Sequence, residues 1–354
     1  MEAYIILLGI VWGVIVIESN IKVTLLKVGN YNIPIVSIFL LIVFLGFYGF
    51  RDEIGYDYPM YVTIIYGGYA NDIYASKGEI LSALLLNIAG VLDNHYIFFF
   101  LVALISLILI FYSIIKYTDF ENKIGWGILT FMAIPVGFVY SLSIERQFMA
   151  ISVLLFATRY LLKRSFIKYF MCVLIACLFH VTSVFNIILY IITSEKFKYK
   201  YFIFIFVIGG ILTLGVKNII ISMFPFYEAY ISSLNSFETG GKAQVVLYII
   251  IAIWFLYVRT YLKNNSKYNI FLKSYICGMA LTSFLLPFDA NVAFRLGSLG
   301  LINLIFLMPY SFCIFSNNSK FIMKIFMIII CSIIYIYGLL VTTGTAYIPY
   351  KTFI

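Results

Sequence analysis

The sequence predicts an all-α, polytopic transmembrane helical bundle, and three observations carry that prediction. The chain is 64% hydrophobic and 11% charged, with a mean hydropathy of +1.05, whereas soluble domains carry about 25% charged residues. Apolar runs recur along its whole length, each close to the roughly 20 residues a helix needs to cross a hydrocarbon core. The few charges gather in the short breaks between runs. No polar stretch is long enough to fold alone, so residues 1–354 are expected to form one integral domain.

Taken in order, the apolar segments are Tyr4 to Ile17, Ile33 to Phe50, Tyr96 to Ile115, Ile124 to Tyr140, Gln147 to Leu162, Tyr169 to Ile192, Tyr201 to Ser222, Val245 to Tyr261, Phe271 to Phe288, Leu296 to Phe315 and Phe321 to Thr342. That makes eleven. The first lacks the basic leader and small-residue cleavage site of a secretory signal and is expected to stay. Between the second and third lies an extracytoplasmic loop, residues 51–95. Its second half predicts a short amphipathic helix: Ser76-Lys77-Gly78-Glu79 has the capping-box pattern, and Ile80, Leu81, Leu84, Leu85, Ile88 and Leu92 follow at helical spacing.

The net charge of +9 needs no nucleic-acid partner, because cytoplasmic loops of membrane proteins accumulate Lys and Arg. Lys22 and Lys27, then Lys116 and Lys123, then Lys163, Arg164 and Lys168 lie on one side if each intervening segment crosses once. Arg51 and the 141–146 turn then lie outside. A single crossing by Tyr169 to Ile192 would put nine downstream basic residues outside, from Lys196 to Lys324, and the opposite parity only four: Lys217, Lys242, Arg295 and Lys351. The imbalance predicts a broken or re-entrant helix pair with His180 at its tip. Irregular backbone at membrane depth is tolerated only where protein buries it or a cavity hydrates it.

The five cysteines lie in apolar stretches without CxxC spacing, and there are only two histidines, so neither disulfides, a metal site nor any other cofactor is expected. Arg51, Asp57, Arg146 and Arg295 fall at the outer ends of apolar segments, and His180 points the same way. Outer arginines with little lysine around them suit a pyrophosphate, which guanidinium binds bidentately. Each has a plainer role open to it: an interfacial anchor, a pair with adjacent Glu145 for Arg146, or a pair with Asp289 for Arg295. Asp57 and His180 are the candidate proton acceptors, and a hydrogen-bonded packing role is the alternative for His180. Glu79 is a candidate substrate contact, or simply the N3 carboxylate of the capping box. Asp52 and Glu53 are loop charges that solvate the loop or pair with Arg51. His95 is an interface residue, and Tyr56, Tyr58, Tyr61 and Tyr66 are either a sugar-stacking wall or the usual interfacial belt. The acidic segment from Phe226 to Gly241 is a candidate lid.

Several short pieces together resemble the EpsG-like, Wzy-type polysaccharide polymerases of bacterial membranes. They are Gly49-Phe50-Arg51 with Gly55 and Asp57 before Tyr61, Glu79 ahead of a short helix, Ile144-Glu145-Arg146-Gln147, Ala176 through Phe179-His180 followed by Thr182-Ser183, and Phe294-Arg295. The resemblance covers roughly residues 40 to 300. It implies a GT-C-like membrane glycosyltransferase without a metal, joining undecaprenyl-pyrophosphate-linked oligosaccharide repeat units at the outer face of the cytoplasmic membrane. The product would be O-antigen, capsule or exopolysaccharide. The resemblance also implies a lipid-linked oligosaccharide substrate, with a chain-length regulator and a flippase as partners. The two long arginine-rich outer loops of some Wzy proteins are not evident here. On this reading Arg51, Arg146 and Arg295 hold pyrophosphate, Asp57 serves the acceptor hydroxyl, and His180 contacts phosphate or transfers a proton. A lipid-linked oligosaccharide flippase and a polysaccharide ligase are the alternatives.

Overall fold

The computed structural model describes residues 1–20, 25–28, 31–117, 124–202, 204, 238–286, 290–341 and 346–353. The apolar run 205–222, the acidic residues 226–237, and Lys22, Lys123, Lys217 and Asp289 lie outside the described residues. The rest is overwhelmingly helical. Five helices are long and apolar enough to cross a membrane: Glu2–Asn20, His95–Tyr117, Gly241–Arg259, Val292–Ile314 (with short breaks) and Asn317–Leu340. The protein is a multi-pass membrane protein. Other apolar segments form shorter or more charged helices, so among the described residues the expected eleven apolar segments are not confirmed by helix length.

The first half runs α1 (Glu2–Asn20), a two-stranded hairpin of β1 (Leu25–Val28) and β2 (Tyr31–Pro34), and α2 (Ile35–Gly49). The 51–95 segment holds three helices rather than the single one expected: α3 (Tyr58–Gly67), the one-turn α4 (Ala70–Ile73) and α5 (Ile80–Val91). There follow α6 (His95–Tyr117), α7 (Ile124–Ala133), the one-turn α8 (Phe138–Ser141) and α9 (Glu145–Leu162). Every residue of α7 is buried, with α1 on one side of it and the last long helix, α16 (Asn317–Val341), on another.

Outward faces of this bundle are apolar. Ile5, Ile6 and Val16 on α1, Ile167 and Met171 on α10 (Phe166–Phe179), and Phe321 and Ile322 on α16 are all exposed, as expected where lipid, not water, is the neighbour. The α5 helix shows the same inversion. Its buried face is Ser82, Ala83, Leu85, Leu86 and Ala89, while Ile80, Leu84 and Leu92 beside it are exposed. Small residues also bring α13 (Ser266–Leu285) and α14 (Ala290–Leu301) into backbone contact. A Cβ at Gly278 would meet the Gly297 carbonyl oxygen at 2.5 Å, and one at Gly300 would meet the Ser274 oxygen at 2.4 Å, so neither position admits a larger residue.

The segment expected to turn back does so. α10 ends at Phe179, His180 is extended (φ −153, ψ 114), and residues 181–186 form a 3₁₀ turn that leads into α11 (Ile187–Ile192). Arg164 before α10 donates to the carbonyl oxygens of Tyr190 (2.9 Å) and Thr193 after α11, and Tyr190 donates back to the Arg164 carbonyl at 2.6 Å. The two ends of the hairpin therefore meet. Its broken backbone is satisfied by protein: Ser82 donates to the Phe179 carbonyl at 2.8 Å and Tyr169 to that of Asn186 at 2.9 Å. Eighteen residues of α9 carry the chain about 27 Å, and fourteen of α10 bring it back about 21 Å, at 1.5 Å per residue. His180 thus returns to the level where α9 began.

The remaining helices are α12 (Glu238–Arg259), α15 (Leu304–Leu307) and the 3₁₀ stretch Met308–Ile314. Residues 346–353 run back across the Arg51 loop. The Gly55 N–H donates to the Ala346 carbonyl (2.8 Å), Asp52 N–H to that of Lys351 (3.0 Å) and Phe353 N–H to that of Phe50 (3.3 Å), with Arg51 and Thr352 in an isolated antiparallel bridge. The Tyr350 ring stacks on Phe47 at 4.2 Å and its hydroxyl donates to the Phe47 carbonyl. Arg51 and Lys351 share a side of the bundle, as the charge parity required.

Candidate active site

Four stretches far apart in sequence converge where α9 begins. The loop after α2 is fixed first. Gly55 has φ +111, and a Cβ there would lie 2.0 Å from the Leu142 carbonyl oxygen, so only glycine lets the loop pack on the 142–143 turn. The next residue, Tyr56, donates its N–H to Ser143 Oγ at 2.9 Å, and Ser143 Oγ in turn hydrogen-bonds the Tyr347 hydroxyl. Loop, turn and returning tail are thereby one unit.

Arg51 is enclosed within it. Its guanidinium is 1% exposed and donates to Glu145 Oε1 (2.6 Å), the Tyr48 carbonyl (2.7 Å) and the Ile54 carbonyl (3.3 Å), beneath the Phe99 ring at 5.0 Å. The expectation that Arg51 clamps phosphate is corrected by this burial. It neutralises Glu145, which is fully buried, and ties off the end of α2. Glu145 is consequently unavailable to Arg146, as neighbours one position apart on a helix do not face each other. Asp52 and Glu53 do not pair with Arg51 either. Asp52 accepts from the hydroxyls of Tyr58 and Tyr96, and Glu53 pairs with Lys351.

Arg146 turns to Glu79 instead. Its Nη1 donates to Glu79 Oε2, its Nε to the Tyr61 hydroxyl at 3.3 Å, and its guanidinium lies 4.0 Å from the Tyr74 ring centre. The capping box expected around Glu79 does not form. Ser76 Oγ donates to the Asp72 carbonyl, Gly78 (φ +84) closes the 3₁₀ turn Ala75–Lys77, and Glu79 sits just before α5 rather than inside its first turn. Released from capping, the carboxylate becomes the hub of the site. Its Oε1 accepts from His180 Nδ1 at 2.9 Å and from the Val181 N–H at 3.0 Å. Burial raises the Glu79 pKa, but His180, Arg146 and the Val181 amide together outweigh it and hold the carboxyl below its ordinary value. An ionised carboxylate only accepts, so His180 donates from Nδ1, and in the neutral ring Nε2 is then the nitrogen with the lone pair. Arg146 is 15% exposed, His180 10% and Glu79 2%, so the guanidinium and the imidazole, not the carboxylate, reach the open side.

Asp57 and Arg295 flank this hub. Asp57 precedes α3 without capping it and is half-buried; burial raises its pKa, opposed by the charges of Arg295 and then Arg146. Arg295, on α14, is also half-buried and forms no ion pair among the described residues. Its position is set by Gln147, whose Nε2 donates to the Arg295 carbonyl (2.5 Å) and to Ser298 Oγ (2.9 Å). Of the sequence candidates, the structure therefore joins Glu79, Arg146 and His180 directly, places Asp57 within reach of the charges of both Arg146 and Arg295, and sets Arg51 apart. Sequence reasoning missed Gln147 as a tether and Tyr61 and Tyr74 as the walls around Arg146. The Ile144-to-Gln147 run was the available signal for the first. Among the described residues, no three His, Cys, Asp or Glu side chains gather as a metal site would require.

A family model described as the EpsG family matches residues 34–352. The chain belongs to the EpsG family. The match runs from the start of α2 through the returning tail, so every element of the candidate site lies inside it. No curated protein and no solved structure matches the chain. EpsG membership together with the apolar helices makes this a polymerase-like membrane protein of polysaccharide biosynthesis.

Proposed function

We propose that the protein is a Wzy-type glycosyltransferase that polymerises undecaprenyl-pyrophosphate-linked oligosaccharide repeat units at the outer face of the bacterial cytoplasmic membrane. The observation that carries this reading is the Glu79 hub, which holds an arginine on one oxygen and a histidine on the other. The transfer breaks a sugar–pyrophosphate bond, and negative charge grows on the departing oxygens. Arg146, with Arg295 across Asp57 from it, meets that charge and stabilises the transition state more than the ground state. The incoming sugar hydroxyl loses its proton as it attacks. His180 Nε2 accepts it, and the resulting imidazolium keeps Glu79 as its counter-ion. Asp57 orients the acceptor or serves as a second base. Arg51 supports the loop from beneath and is not assigned to phosphate. A chain-length regulator and a flippase are the partners this activity calls for.

Purified protein incubated with lipid-linked repeat units tests the proposal. A ladder of chain lengths is expected, and His180→Ala should lower its yield on the order of 10²-fold or more. A single transfer to a foreign acceptor would make the protein a ligase, and no transfer at all would favour a flippase. If Asp57→Asn and His180→Ala both left the ladder intact, the site would lie elsewhere.

A further inference from the structure

Between α3 and the start of α6, the structure holds a chain of polar groups that the reaction above does not use. The Tyr66 hydroxyl lies 2.9 Å from His95 Nδ1, His95 Nε2 lies 3.1 Å from the Tyr58 hydroxyl, and that hydroxyl lies 3.1 Å from Asp52 Oδ1, which also takes the Tyr96 hydroxyl at 3.3 Å. Proton positions follow from the acidic end. As a carboxylate, Asp52 can only accept, so Tyr58 donates to it. The Tyr58 oxygen then accepts from His95 Nε2–H, and the neutral ring's Nδ1 accepts from Tyr66. Every donor points inward, which leaves the lone pairs of the Tyr66 oxygen directed away from the protein on a ring that is 53% exposed.

The rings are as ordered as the hydrogen bonds. Tyr58 stacks on Phe99 at 4.2 Å, His95 lies on Tyr96 at 4.0 Å, and Tyr96 stacks on Phe353 at 3.9 Å. An interfacial belt needs only an amphipathic ring with its tip in water. It does not need a one-directional chain of hydrogen bonds with a carboxylate at its inner end. Such a chain fixes the outermost oxygen in place, which is what recognition of a ligand hydroxyl requires.

We propose that Tyr66, His95 and the Tyr58–Asp52 pair beneath them form a binding platform for an uncharged pyranose of the substrate oligosaccharide, separate from the pyrophosphate site. A pyranose offers an apolar C–H face to an aromatic ring and hydroxyls to a fixed acceptor. No cationic side chain joins the chain of hydrogen bonds, so an acidic sugar gains nothing there. Position supports the assignment. Tyr58 and Tyr66 lie on α3 to either side of Tyr61, whose hydroxyl accepts from Arg146 Nε, so one helix carries the platform and borders the site that would hold the same molecule's pyrophosphate. The inference identifies part of the substrate and in that sense rests on the polymerase reading.

Full-length protein in lipid nanodiscs, titrated with neutral oligosaccharide fragments of the producing cells' own surface polymer and followed by saturation-transfer NMR, tests it. Wild-type protein should bind the fragments. Tyr66→Phe, which keeps the ring and removes one exposed hydroxyl, should weaken binding about tenfold, the loss of one hydrogen bond. His95→Gln, whose amide supplies a donor and an acceptor, should retain more binding than His95→Ala. His180→Ala should bind as wild type while losing polymer. The platform is overturned if wild-type protein binds no fragment, or if Tyr66→Phe and His95→Ala bind as tightly as wild type. The polymerase reading fails separately, if cells carrying His180→Ala still make polymer.

Discussion

Glu145 and Arg146 are adjacent at the start of α9, and each is matched by an opposite charge from the 51–95 segment or its lip, yet the two pairs lie in different surroundings. Arg51 and Glu145 are closed off, 1% and 0% exposed. Arg146 and Glu79 form the same chemical pair, but the arginine reaches an opening and the glutamate also holds a histidine. A sealed ion pair fixes architecture, because neither partner can change its company without leaving a buried charge behind. A pair with one open side and a third member can exchange contacts with a ligand. The difference separates scaffold from chemistry within two consecutive residues.

The largest effect that would break this contrast is on folding. Arg51→Met leaves Glu145 buried without a counter-charge, which costs about 3–5 kcal/mol, and the yield of monodisperse protein by size exclusion should collapse. Adding Glu145→Leu should restore most of it, since an apolar pair of similar volume often does as well as a buried ion pair. Wild-type yield from Arg51→Met alone would return Arg51 to the candidates for phosphate. Glu79→Gln should behave in the opposite manner. It keeps the shape, leaves folding nearly intact and lowers polymer synthesis by about 10²-fold or more, because His180 loses the carboxylate that fixes its tautomer and would balance its charge.

A smaller effect sharpens the same comparison. The Glu79 carboxyl is held below its ordinary pKa, so its contribution to stability is present above the unfolded value and is lost as the pH falls through the carboxylate range. The melting temperature should therefore hold from pH 7 to about pH 4.5 and drop as the pH falls further, and less so in Glu79→Gln than in wild type. Least of all, Lys351→Ala breaks an exposed pair with Glu53 and should leave both melting and polymer unchanged.

The membrane class was legible because hydropathy accumulates over whole segments, and the re-entrant hairpin because the Lys and Arg count is a topological constraint independent of local shape. The candidate residues could be named singly from the sequence, but not paired. His180 and Glu79 are 101 residues apart and Arg51 and Glu145 are 94 apart, and no local pattern encodes such pairings. Two local signals also pointed the wrong way. Ser76-Lys77-Gly78-Glu79 spells a capping box, but Gly78 takes the left-handed conformation and closes a turn before the helix can start. Arg51 stands at the end of an apolar run like an exposed anchor, and only the fold supplies the buried carboxylate that it serves. The helical spacing of α5 was visible, yet its buried face holds Ser82 and Ala83 beside Leu85 and Leu86, while Ile80, Leu84 and Leu92 stay outside.

The returning tail carries a consequence for biogenesis. Lys351 and Glu53 are 298 residues apart, so the loop that carries Asp57 leaves the ribosome long before the strand that straps it down. Domains assemble from their N-terminal parts as synthesis proceeds, but this loop cannot reach its final form until α16 has been inserted and residues 346–353 have been delivered to the same side. A chain stalled before residue 346 therefore carries the candidate site without the backbone contacts that hold its loop.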